Sequence, residues 1–168
     1  MTAPERSCGD CTLCCKTMGV AEIAKPRDHW CPHIVHGHGC AIYETRPGAC
    51  RGFFYIWIHD TSLGPEWKPS KCKMVLTQDS RSRMTVQVDS GAPGVWRREP
   101  HFSQLMRMAK NRLIDDAILM VVDRGRTYVL LPDDVVELGV VGQQDQIVLA
   151  KSPVPGGFAY DVSVRRAE

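Results

Sequence analysis

No apolar run in this chain approaches the roughly 20 residues that a membrane-spanning helix needs. The opening Met1-Thr2-Ala3-Pro4-Glu5-Arg6 also lacks the apolar stretch of a signal peptide. Both absences predict a cytoplasmic protein with no membrane partner. Charge of one sign is missing too: 21 Lys and Arg face 19 Asp and Glu. A dedicated nucleic-acid binder usually carries a basic excess, so no nucleic-acid partner is expected. No Gly-rich loop follows a predicted strand, which leaves no recognisable cradle for a nucleotide. Repeats, low-complexity segments and nucleophile–base pairs at informative spacing are lacking, so nothing identifies a substrate. Cysteine is absent after Cys72. What remains is 168 residues with 43% hydrophobic content, enough for one globular domain with a core.

The eight cysteines, Cys8 to Cys72, therefore crowd the front half. A reducing cytoplasm disfavours a disulfide framework and turns clustered thiols toward metal. Cys8, Cys11 and Cys14 are each separated by two residues, a spacing that lets thiolates converge across a tight turn. The run opens like a bacterial ferredoxin motif, but Met18 stands where the next cysteine would fall. Cys15 follows Cys14 directly. Neighbouring side chains diverge, so the pair suits a site with several metal atoms, or two sites sharing a hinge. Eight thiols are enough for two four-thiolate sites, or for one cluster with spare thiols.

Two blocks resemble a known family. Cys8-Gly9-Asp10-Cys11-Thr12-Leu13-Cys14-Cys15 is similar to the opening of the YkgJ-like cysteine-cluster proteins, a family of zinc- or iron-chelating domains. Cys40-Ala41-Ile42-Tyr43-Glu44-Thr45-Arg46-Pro47-Gly48-Ala49-Cys50-Arg51 resembles that family's second signature, and Trp30-Cys31-Pro32 stands at its intermediate cysteine. The resemblance implies a chelating cluster of Cys8, Cys11, Cys14, Cys15, Cys31, Cys40 and Cys50. Cys72 lies beyond the matched blocks and completes the set of candidate metal ligands.

Other side chains could tune such a site. Arg46 and Arg51 flank Cys50 and could offset thiolate charge, or each could make an ordinary surface ion pair. His29, His33, His36 and His38 surround Cys31, but the thiols already suffice as ligands. The carboxylate pairs Asp115-Asp116 and Asp133-Asp134 adjoin turns and read as solvated turn residues.

The expected fold class is α+β, with a loop-rich, cysteine-bearing front half packed on a small antiparallel sheet and a helix. Residues 1–83 form the metal-binding region and 84–168 a support region, together one compact unit. A short helix is expected at the first cysteines. The aromatic, β-branched run 53–58 predicts a buried strand, and 85–89 a half-buried one. Phe102, Leu105, Met106, Ala109 and Leu113 recur at helical spacing after Pro100. Residues 118–122 and 127–131 predict a hairpin, and 147–150 and 158–164 two strands around a Pro- and Gly-containing loop.

The functional expectation is a protein holding an iron–sulfur cluster or another multinuclear thiolate site, for electron transfer or support of a modification reaction. Two alternatives stay open. One is a zinc-stabilised binding module without catalysis, and the other is a metal storage or delivery protein, either of which could serve a protein partner.

Overall fold

Up to Cys72 the described residues form only brief elements. Besides three 3-10 turns, these are helix α1 (Leu13–Thr17), the two-residue strands β1 (Ile34–Val35) and β2 (Gly39–Cys40), and helices α2 (Gly48–Gly52), α3 (Ile56–His59) and α4 (Pro69–Cys72). Longer ones follow: β3 (Met74–Ser80), β4 (Arg83–Val88), α5 (His101–Leu113), β5 (Ile118–Asp123), β6 (Arg126–Leu130), β7 (Val135–Gly139), β8 (Gln146–Val154) and β9 (Gly157–Arg165). The structure is a computed structural model that describes Arg6, residues 9–53 and residues 55–167. The fold is a mixed α+β arrangement.

Strands β3 to β7 form one sheet in sequence order. All neighbours are antiparallel except β4 and β5, which run parallel with Val86 opposite Val121. A parallel pair needs a crossover, and α5 supplies it. The expected purely antiparallel sheet is corrected accordingly. Leu105 and Ala109, four residues apart on one face of α5, are fully buried against Val86, Leu119, Val121 and Leu130. Burying a leucine this completely contributes about 2 kcal/mol.

The same core takes in Ile56, Leu63, Trp67, Cys72 and Leu76 from the front half. The division at 83/84 falls inside β4, just after its first residue, in a hairpin whose strands β3 and β4 pair along their length. One core therefore serves both halves. On the other face of the sheet, Ile118, Met120 and Val129 meet Val162 of the β8–β9 hairpin, with Ile147, Leu149 and Tyr160 packed alongside. Cover on both faces leaves every residue of β4 after Arg83 buried, where a half-buried strand was expected.

The run 53–58 is not a strand. Tyr55 makes one isolated bridge to Thr77, and Ile56 then enters the helical turn of α3. Phe54 lies outside the described residues. No helix among the described residues is long and apolar enough to cross a membrane.

Candidate metal centre

Local devices deliver the cysteines one by one. In α1, Leu13 and Thr17 are buried, and their spacing of four turns Cys14 and Cys15 away from that packed face. The Cys15 N–H donates to Thr12 O at 3.0 Å and the Met18 N–H to Cys14 O at 3.1 Å, which fixes this turn. Cys31 is tied to it directly, its N–H donating to Cys15 O at 2.9 Å. Cys40 stands opposite Ile34 across the β1–β2 pair.

Gly39, just before Cys40, has φ +103°, and a Cβ there would stand 2.8 Å from Gly9 O. Only glycine permits this approach of the Cys40 strand to the loop entering Cys11. Cys50 lies within α2. The Glu22 carboxylate accepts the first free N–H groups of that helix, Gly48 at 2.7 Å and Ala49 at 2.9 Å.

These devices bring Cys11, Cys14, Cys15, Cys31, Cys40 and Cys50 to the wall of one cavity of about 80 Å³. Lys25, Tyr43, Arg46 and Tyr55 share that wall. All seven described cysteines are free thiols, and Cys8 lies outside the described residues. Among the described residues no group of three or more Cys, His, Asp or Glu side chains converges as a ready-made ion site. The six thiols are distributed around the cavity.

Cys72 stands apart. It is 2% exposed within the main core, and its Sγ donates to Met74 O at 3.3 Å and Trp67 O at 3.5 Å. Burial pushes its thiol up to about 11. A buried thiol kept protonated in this way is a core residue by its surroundings.

The thiols of the cavity feel one another. Cys14 is pulled down to about 6, chiefly by a hydrogen bond with Cys15, against its burial, with Tyr55 also bonding to it. Cys15 is pushed far up because it holds the proton between the two, is buried, and faces charge on Cys14, Cys40 and Cys31. Burial, then charge on Cys31, Cys14 and Cys40, raises Cys50. Gathering thiolates in a half-buried space disfavours their ionisation, and a bound cation reverses that penalty. Soft sulfur donors suit iron and zinc. The donor set thus fits the expected metal.

Of the flanking arginines, Arg46 lines the cavity, stacks 3.9 Å from the Tyr43 ring and donates to Tyr43 O at 2.5 Å. Arg51 instead donates to Arg46 O and Glu44 O, each at 3.0 Å, and braces that turn. Neither makes an ion pair among the described residues. His29, His33, His36 and His38 do not line the cavity; His36 packs edge-on to Trp30, and His29 Nδ1 lies 2.8 Å from Arg27 O. Asp116 pairs with Lys151 at 2.9 Å, and Asp134 accepts the Val135 N–H, as turn carboxylates do.

Two contributors are not legible in the sequence. Lys25 is buried, and its ammonium donates to Lys16 O and Pro26 O at 3.0 Å each and to Met18 O. Burial lowers it, and charge on Cys31 and Cys15 opposes that fall, so a cation sits behind the thiols. No motif marks a lone lysine for this place. Tyr55 was hidden in the aromatic run that reads as a core strand. No protein-family model, curated protein or solved structure matches the chain.

Proposed function

We propose that this protein holds a thiolate-bound metal centre in the cavity walled by Cys11, Cys14, Cys15, Cys31, Cys40 and Cys50, with an iron–sulfur cluster as the favoured occupant. The meeting of these six thiols, from sites scattered over 40 residues, around one space carries the reading. Four ligands complete a tetrahedral zinc site, so six exceed what one ion uses. The volume of about 80 Å³ is several times what a single water needs, which favours a centre of more than one atom. The resemblance of the two cysteine blocks to the YkgJ-like family supports a chelating site here and is equally compatible with iron and zinc. Such a cluster would supply one-electron transfer. Around it this chain contributes charge compensation from Lys25 and Arg46 and a hydrogen bond from Tyr55, in a cytoplasmic setting.

A zinc-stabilised module is the second reading. Between residues 9 and 53 only Leu13, Thr17, Met18, Val20, Lys25 and Gly39 are buried. A segment with so little core gains order from a metal cross-link.

The test is anaerobic purification of the full chain, followed by iron, zinc and acid-labile sulfide analysis and visible absorption. Iron with sulfide and visible colour supports the cluster. Stoichiometric zinc without colour transfers the assignment to the second reading, and metal that a mild chelator strips at once favours storage or delivery. A folded protein with no metal after anaerobic reconstitution overturns all three.

A further inference from the structure

The sheet face opposite α5 buries four polar side chains: Thr77, Thr85, Gln87 and Thr127. One row of this face is satisfied by the chain itself. The Asp79 carboxylate accepts from Thr77 at 3.0 Å and from Thr85, and pairs with Arg83 at 3.3 Å. The adjacent row is not. Gln87, Val122 and Thr127 are register partners on β4, β5 and β6, so their side chains share this face. Gln87 is 8% exposed and Thr127 5%, yet neither side chain has a hydrogen-bond partner among the described residues. Among the described residues the side-chain atoms that are both sealed and unpartnered are Arg112 Nε and Asp123 Oδ1, and none belongs to Gln87 or Thr127. The polar atoms of Gln87 and Thr127 therefore open onto free space.

That space is a cleft of about 490 Å³ between this row and the 141–145 loop. Its size suits a small molecule. The row ends at Gly139, opposite Thr127, which has no side chain to fill it. Four charged residues line the cleft: Arg27, Asp79, Arg83 and Asp145. Asp79 is taken by Arg83, and Asp145 by Arg166 at 2.7 Å and by the N–H groups of Gly142 and Ala167. Arg27 alone has no counter-ion among the described residues.

We propose that this cleft binds a small hydroxy-monocarboxylate. The one uncompensated guanidinium matches one carboxylate, which it can hold through two parallel hydrogen bonds. Gln87 takes the ligand's hydroxyl, and Thr127, two strand spacings or about 9.6 Å away across the apolar floor at Val122, borders the space the ligand fills. No unpaired acid lines the cleft to receive an ammonium, so amino acids are disfavoured. This inference does not depend on the metal centre.

The test titrates the ¹⁵N-labelled full chain with lactate and with 4-hydroxybutyrate, following the Gln87 side-chain amide and the Thr127 backbone amide. 4-Hydroxybutyramide and inorganic phosphate are the counter-probes. Arg27→Gln and Gln87→Leu are run in parallel, with metal content measured for each. The expected result is saturable shifts at both positions with at least one hydroxy acid. Binding should weaken about tenfold or more for the amide and for either variant, at wild-type metal content. No saturation by about 10 mM, equal binding by Arg27→Gln, or phosphate binding in place of both hydroxy acids overturns the proposal.

Discussion

Replacing Cys72 by Ser separates packing from ligation. The side chain is 2% exposed, held among Trp67, Met74 and the rest of the main core. A serine hydroxyl can still donate to Met74 O, so no buried group is orphaned. The loss is the bulk and soft contact of one sulfur, comparable with a methylene, and costs about 1–2 kcal/mol. For a chain of this length the expected fall in Tm is about 2–8 °C. Metal per folded molecule should not change. The native thiol sits at about 11, so ionising it at pH 7 costs on the order of 5 kcal/mol before any metal could use it. Cys14→Ser and Cys50→Ser, on the cavity wall, should lose most of the metal instead. The assay pairs thermal or urea unfolding with metal analysis of anaerobic preparations. A Cys72→Ser protein as empty as Cys14→Ser would refute the reasoning and make Cys72 a ligand.

Three further outcomes follow from the geometry. Gly39→Ala places a Cβ 2.8 Å from Gly9 O at a φ that alanine rarely adopts, so it should cost roughly 1–3 kcal/mol and lower metal occupancy; unchanged occupancy would show that the Cys11 and Cys40 segments need not approach. Lys16 of α1 pairs with Asp89 after β4; burial alone would raise the Asp89 carboxyl, but Lys16 and the Gly91 N–H hold it below the usual range. That tie is complete above the unfolded carboxyl value of about 4 and is lost as pH falls through the lower folded value, and Asp89→Asn should remove about 1–3 kcal/mol of it at neutral pH; a variant whose acid unfolding matches wild type would count against it. Chelating the metal should release hydrogen-exchange protection in residues 9–53 while β3 to β7 keep theirs, and equal protection with and without metal would contradict that coupling.

What could be read from the sequence was whatever depends on local pattern. The helical repeat from Phe102 to Leu113 and the turn Asp123-Arg124-Gly125-Arg126 between two apolar runs mark α5 and the β5–β6 hairpin within a residue or two. Pairing between distant strands leaves no such mark. The parallel β4–β5 contact depends on a crossover, and β3 and β7 emerge only once neighbours exist to bond them. The run 53–58 misleads because Trp57 sends its N–H to Gly64 O and Ile56 packs inward, so tertiary partners outweigh β propensity. The cysteine spacing likewise names candidate thiols, but it does not separate the six on the cavity from Cys72. That distinction rests on where α4 delivers its last residue.

The crossover through α5 also sets an order in time. Strand β4 gains its inner neighbour only when β5 has been made, and β5 ends at Asp123, long after Cys50. At about 5–20 residues per second, some 70 residues of synthesis leave the clustered thiols without their supporting sheet for roughly 4–15 s. In that interval they lack the brace of the finished sheet, and both oxidants and stray metal ions compete for them. Thiols that must wait for their scaffold make the maturation of this protein a matter of scheduling, with the supply of metal and reductant during synthesis deciding how much of it reaches its finished form.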